Sequence, residues 1–220
     1  MNLSRVTLLL SAALLAGCAA NVESLSEHDL ALAAKQGDPQ AQYLYARKLA
    51  ARKAYPDAMV LMKQVGDKSI ISSLSREQRG DAARQVGDWY SAGLGEPRNE
   101  KLARVWWEKG SSLGNGDASY RLAQACRARH GGKLETDCID MLETAAGQEQ
   151  AAAQYELAQW LADHDGAEQE GLSWLQKSAD RQNPQALYQL AQRYETGEGV
   201  EKRGDAAQRL YFAAADKGYA

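Results

Sequence analysis

Three cysteines and three histidines are the groups in this 220-residue chain best suited to chemistry. Cys126, His130 and Cys138 fall close together. They could ligate a metal, or the two thiols could pair. Structural zinc takes four ligands and commonly spaces its cysteines two to four residues apart. Neither condition is met here, so no metal site is expected. Asp163-His164-Asp165 has the look of an acid–base cluster, but Asp favours helix ends and turns, and the run reads as a polar turn. His28 and His164 stand alone. Gly197-Glu198-Gly199 lacks both the preceding strand and the following Lys-Ser/Thr of a phosphate loop, and reads as a turn between helices. No Ser/His/Asp set and no paired carboxylates occur, so no catalytic residue is assigned and no enzyme activity is expected. The net charge is −3, with no run of Lys and Arg. That footprint argues against a nucleic-acid partner, and no small-molecule substrate or cofactor is implied.

The elements that would position these residues begin after an address. Arg5 is followed by a short apolar run with its core at Leu8 to Leu15, about a dozen residues in all with its flanks, against the roughly 20 that a permanent membrane helix requires. This reads as a secretory signal. Its end, Leu15-Ala16-Gly17-Cys18, resembles the lipobox of bacterial lipoproteins. The resemblance implies cleavage before Cys18 and acylation of its thiol and new amine, a stable anchor because several acyl chains act together. Ala19 and Ala20, with no Asp behind the cysteine, resemble the pattern of outer-membrane delivery. Residues 1–17 are then the signal peptide and 18–29 the lipidated cysteine with a polar tether.

Beyond the tether a pattern recurs. Ala41, Ala82, Ala118, Ala153 and Ala186 each start a stripe with an apolar residue four positions on, spaced by 41, 36, 35 and 33 residues. Five positions on there is always a small residue: Ala46, Gly87, Ala123, Ala158 and Ala191. Eight positions on come Leu49, Tyr90, Cys126, Leu161 and Tyr194, completing a helical face. A second helix follows, marked by a small residue three before a bulky pair: Ala58 with Leu61-Met62, Ala103 with Trp106-Trp107, Cys138 with Met141-Leu142, Gly171 with Trp174-Leu175, and Ala207 with Leu210-Tyr211. Each copy is a helix–turn–helix hairpin that cannot bury its faces alone, so stacking must supply the core.

These copies resemble Sel1-like repeats, a tetratricopeptide-related family. The last copy carries the fullest pattern, Ala186 to Ala191, Tyr194, Gly197-Glu198-Gly199-Val200, Ala207, Leu210-Tyr211, Ala214-Ala215 and Gly218. The second copy, with Gly93-Leu94-Gly95 and Trp106-Trp107, follows it. The expected fold is an all-α solenoid of about five repeats: 30–66, a connector 67–74, then 75–114, 115–147, 148–180 and 181–220. The connector is expected to loosen the first hairpin or add a turn. No polar cap closes the last repeat, so its apolar end would be covered by a partner or a second copy, or continue into a longer array.

In such a hairpin the turns carrying Cys126 and Cys138 are neighbours. A disulfide between them is expected in an oxidising envelope, with two buried free thiols as the alternative. The cysteine-rich members of the family staple different helix ends, so the resemblance lends this pairing no support. Tyr43, Tyr120, Tyr155 and Tyr188 share one position, which Arg84 takes in the second copy. They either pack between repeats or form an aromatic ladder for a partner segment, tyrosine giving contact area at low entropy cost. Trp106, Trp107, Trp160 and Trp174 are expected in the core. The implied function is a membrane-anchored, protein-binding scaffold on the periplasmic face of the outer membrane, assisting a secretion or exopolysaccharide-export complex. A surface factor binding a host protein and a regulator of a cell-wall enzyme are the alternatives.

Overall fold

The computed structural model describes residues 22–67, 73–164 and 166–219. The signal peptide, Cys18, residues 19–21, Asp165 and most of the connector lie outside the described residues. Among those described, every regular element is helical. A short 3-10 turn, Val22–Ser24, precedes eleven α-helices: α1 Glu27–Lys35, α2 Pro39–Ala51, α3 Tyr55–Asp67, α4 Arg76–Ala92, α5 Glu100–Ser112, α6 Gly116–Arg129, α7 Thr136–Gly147, α8 Ala151–Ala162, α9 Glu168–Asp180, α10 Pro184–Thr196 and α11 Gly204–Asp216.

Local chemistry fixes where the first helix of each copy begins. Asp38, Asn115 and Asn183 cap α2, α6 and α10, their side chains accepting from Ala41 N at 2.7 Å, Ala118 N at 2.9 Å and Ala186 N at 2.9 Å. Gln150 does the same for Ala153 N at 2.6 Å. The capped amide thus belongs each time to the recurring alanine. Such a cap satisfies one of the helix's orphan donors and contributes about 1 kcal/mol. Ser75 and Gln78 form a reciprocal capping box on α4.

The chain forms two compact units, residues 1–103 and 104–220. In the first, α1 is an element the sequence reading did not contain. The tether expected through residue 29 gives way at Ser26, whose side chain accepts from Asp29 N and starts the helix. Leu30 and Ala34, one turn apart, then bury against Ala41. Behind them lie Ala58, Met59, Met62 and Val65 of α3 and Ala82, Ala83, Val86 and Trp89 of α4. Gly95 lies where a Cβ would sit 2.8 Å from the Tyr55 carbonyl oxygen, with φ at +85°. Only glycine fits that approach and that backbone.

The second unit holds three complete hairpins, α6–α7, α8–α9 and α10–α11, each packed on the next. Its cores do not respect copy boundaries. One joins Ala123 of α6, Leu142 and Ala145 of α7, and Ala153, Leu157 and Leu161 of α8. Another joins Ala158 of α8, Leu175 and Ala179 of α9, Ala186, Leu187 and Leu190 of α10, and Ala214 of α11. Across both units, the five starting alanines have no exposed surface. The small residues five positions on are buried as well.

Polar residues tie the copies together at the position after the starting alanine. Gln42 Nε2 donates to the Ala34 carbonyl at 3.2 Å, eight residues back at the end of α1. Gln154 Nε2 donates to the Ala146 carbonyl at 3.1 Å, again eight back, at the end of α7. Ser119 Oγ lies 2.7 Å from Ser111 Oγ and 2.6 Å from Gln148 Oε1. These side chains are almost fully buried, and such groups are tolerated inside a fold because they are hydrogen-bonded.

Candidate interaction face and the cysteine hairpin

The tyrosine position is mainly a tie between copies. Tyr43 is only 7% exposed, and its hydroxyl donates to Asp81 Oδ2 on α4 at 2.9 Å. It therefore drops out as a contact residue for a partner. Arg84, in the tyrosine slot of the second copy, bridges Asp81 at 2.8 Å and Asp88 at 2.6 Å. Burial, and then Asp81, push the Tyr43 hydroxyl up to about 12. In the second unit Tyr120 repeats the device. Its hydroxyl donates to Glu156 on α8, and Arg127 reaches the same carboxylate at 3.2 Å. Burial, then the hydrogen bond to Glu156, push Tyr120 up to about 12.

Tyr155 and Tyr188 keep half-exposed rings. Tyr188 meets Tyr211 and Tyr219 edge-on, with centroids 5.3 Å and 5.4 Å apart. Tyr211 donates to Glu195 Oε2 at 2.7 Å, and that bond pushes its hydroxyl up to about 12. Beside them an open pocket of about 450 Å³ is lined by Tyr188, Ala207, Tyr211, Phe212, Ala215 and Tyr219. Phe212 is 63% exposed. Gln159 and Gln189, joined at 2.6 Å, continue the same face between α8 and α10. Tyrosine rings, apolar in body and polar at the tip and here held by their neighbours, suit contact with another chain.

The tryptophans correct an expectation. Of the four expected in the core, Trp107 is buried, at 4% exposure. Trp106, Trp160 and Trp174 are half-exposed. The first member of each bulky pair sits about 100° around the helix from the second, which puts it on the rim. There Lys109 and Lys177 cover the Trp106 and Trp174 rings at 5.0 Å and 3.8 Å. His164 stacks on Trp160, with Nδ1 2.6 Å from the Trp160 carbonyl oxygen, so the turn uses it as a local clasp. Gly197 ends α10 in the left-handed conformation, φ +87°. That is the helix-ending role of the Gly-Glu-Gly segment.

At the turn end of α6–α7, Cys126 and Cys138 are joined by a disulfide with their Cα atoms 5.4 Å apart. Both are buried. A carboxylate the sequence reading missed stands against them: Asp137 Oδ2 lies 3.3 Å from Cys126 Sγ, and Asp137 Oδ1 3.6 Å from Cys138 Sγ. His130 Nε2 lies 3.5 Å from Asp137 Oδ2. The signal was present as an Asp preceding Cys138, but only the hairpin brings it opposite His130.

Three stretches, residues 80–115, 151–183 and 184–219, match the Sel1 repeat family. The chain carries Sel1 repeats in these three stretches, and its fold is the α-solenoid of such repeats. Repeats of this kind mediate protein–protein interaction. A Sel1 repeat protein from Oxalobacter formigenes superposes with a TM-score of 0.61 at 22% identity, over 80% of this chain and 68% of the other. A protective antigen with the same fold from uropathogenic Escherichia coli gives 0.62 at 25% identity, over 86% of this chain and 40% of the other. This chain therefore spans about two fifths of that antigen. An immunity protein from Pseudomonas aeruginosa gives 0.53 at 18% identity, over 82% and 66%. No curated protein matches the chain at a significant level.

Proposed function

We propose that the protein is a membrane-anchored adaptor of the bacterial envelope, held by acyl chains on Cys18 and binding a protein partner through the face shared by α6, α8 and α10. It catalyses nothing. The observation that carries the binding half is the row of half-exposed tyrosines, Tyr155 and Tyr188, fixed beside the open pocket under Phe212. The anchoring half rests on Leu15-Ala16-Gly17-Cys18. Delivery to the periplasmic face of the outer membrane, and assistance to a secretion or exopolysaccharide-export complex, are the forms of this reading that the signal and the repeat class favour.

Photo-crosslinking in intact Gram-negative cells tests both halves. A crosslinker at Tyr188 or Gln192 is expected to capture one discrete protein, and the same probe at Glu143, an exposed residue of α7, is expected to capture none. Capture that requires Cys18 supports the adaptor. Equal capture from both positions, or from a freely soluble Cys18→Ser chain, defeats it.

A further inference from the structure

The groups around the disulfide form a set that the disulfide itself does not need. Cys126, His130, Asp137 and Cys138 each offer one ligand atom, and these atoms all lie within 4.8 Å of one another. The two sulfurs are buried, while the His130 and Asp137 side chains are 38% and 52% exposed, which leaves a path for an ion from solvent.

We propose that, once the Cys126–Cys138 bond is reduced, these four residues bind one Zn²⁺ in a tetrahedral S₂NO site, so that the α6–α7 hairpin is closed by sulfur in one redox state and by metal in the other. Zinc sits at about 2.3 Å from thiolate sulfur and about 2.0–2.2 Å from imidazole nitrogen or carboxylate oxygen, so the edges of its tetrahedron measure about 3.3–3.8 Å. Asp137 Oδ2 lies 3.3 Å from Cys126 Sγ and 3.5 Å from His130 Nε2, both in that range, and the other oxygen of the same carboxylate, Oδ1, lies 3.6 Å from Cys138 Sγ. The two sulfurs must part on reduction, and the remaining separations, all within 4.8 Å, close to tetrahedral edges by side-chain rotation. Two thiolates with one imidazole and one carboxylate make a tetrahedral set that favours zinc over magnesium or calcium.

The loop can adapt to an ion. Gly131 and Gly132 turn it with φ of +63° and +92°, and nothing lies within 4 Å of where either Cβ would be. Arg129, whose guanidinium lies 4.0 Å from Asp137, is 46% exposed and free to swing outward.

The chemistry balances with an external dithiol as reductant. Its two thiols give two electrons and two protons to the Cys126–Cys138 bond, leaving two protein thiols and an oxidised dithiol. Zinc binding then releases both thiol protons to solvent.

The test uses the full chain carrying Cys18→Ser, so that only two thiols report. After reduction with a phosphine that does not bind metal, Zn²⁺ is titrated against a chromophoric chelator. One zinc per chain is expected, bound at least a hundredfold more tightly than by the oxidised protein. Co²⁺ in its place is expected to give a thiolate charge-transfer band and the intense visible bands of a tetrahedral ion. His130→Ala and Asp137→Asn are each expected to weaken zinc at least tenfold while leaving disulfide formation in the oxidised protein intact. Full affinity in the double variant, weak octahedral cobalt bands, or no gain in affinity on reduction overturns the proposal. Should reduction melt the hairpin, circular dichroism decides. Helix restored by zinc supports the site, and helix that stays lost with zinc present refutes it.

Discussion

A tyrosine hydroxyl held against a carboxylate resists ionisation, and Tyr43, Tyr120 and Tyr211 do so here. Tyr43 and Tyr120 are each pushed up to about 12, while an unfolded chain ionises its tyrosines near 10. The folded state therefore favours the neutral phenol. The stability this contributes is complete below pH 10 and is lost as pH rises from 10 to about 12. Chemical denaturation across that range is expected to show the decline, and a Tyr43→Phe/Tyr120→Phe chain is expected to show a shallower one. Identical slopes in the two proteins would separate the hydroxyls from the effect. At neutral pH, Tyr120→Phe is expected to cost about 1 kcal/mol, the net worth of an ordinary hydrogen bond. An unchanged urea midpoint would mean that Glu156 finds an equal partner in Arg127 alone.

Helix ends and turns hold the next set of expectations. Gly95→Ala places a Cβ against the Tyr55 carbonyl in a left-handed backbone and is expected to cost about 2 kcal/mol. Gly147→Ala is expected to do the reverse. Gly147 closes α7 with nothing within 4 Å of its missing Cβ, and alanine there is expected to stabilise by about 0.5–1 kcal/mol. Melting temperatures moving in the same direction would contradict the pair. The disulfide spans a twelve-residue separation, and its reduction in zinc-free buffer is expected to cost about 3 kcal/mol on the chain-entropy estimate.

The hairpins were legible because their faces repeat: an alanine at the start, a small residue five on, a bulky pair in the second helix. What repeats only once was not legible. α1 rests on Ser26 and the pair Leu30 and Ala34, too short a stripe to separate from a tether by pattern. The caps Asp38, Asn115, Gln150 and Asn183 do recur three residues before four of the five alanines, but one of them is Gln, a weak signal in isolation, and Ala82 has Arg79 there. Asp137 escaped because its partners meet it through space. The outer tryptophans were misjudged because the paired aromatics were assigned to one face, when the helix divides them between core and rim.

For the molecule as a whole, stability resides in surfaces that neighbouring copies share. Leu157 is 2% exposed in a core built from α6, α7 and α8. Leu157→Asp buries an unpaired carboxylate there, at a cost of several kcal/mol. Because each copy relies on the next, the loss is expected to spread through the second unit. Circular dichroism is expected to show a large fall in helix, and native helicity with an unchanged melting point would place the buried face elsewhere. At this scale the anchor is testable too. Cys18→Ser is expected to abolish incorporation of labelled palmitate and to shift the protein from the membrane to the soluble fraction. Label retained in that variant would point to another acylated residue.

The buried glutamines at the start of α2 and α8 have a bearing on synthesis. Each closes a carbonyl on the helix made before it, Ala34 for Gln42 and Ala146 for Gln154. Both carbonyls already accept a backbone bond in their own turn, from Gly37 N at 3.1 Å and Glu149 N at 3.0 Å, so the glutamine that emerges later adds a second donor to a turn already formed. At those two junctions, α1–α2 and α7–α8, the later helix thus fastens the end of the one made before it.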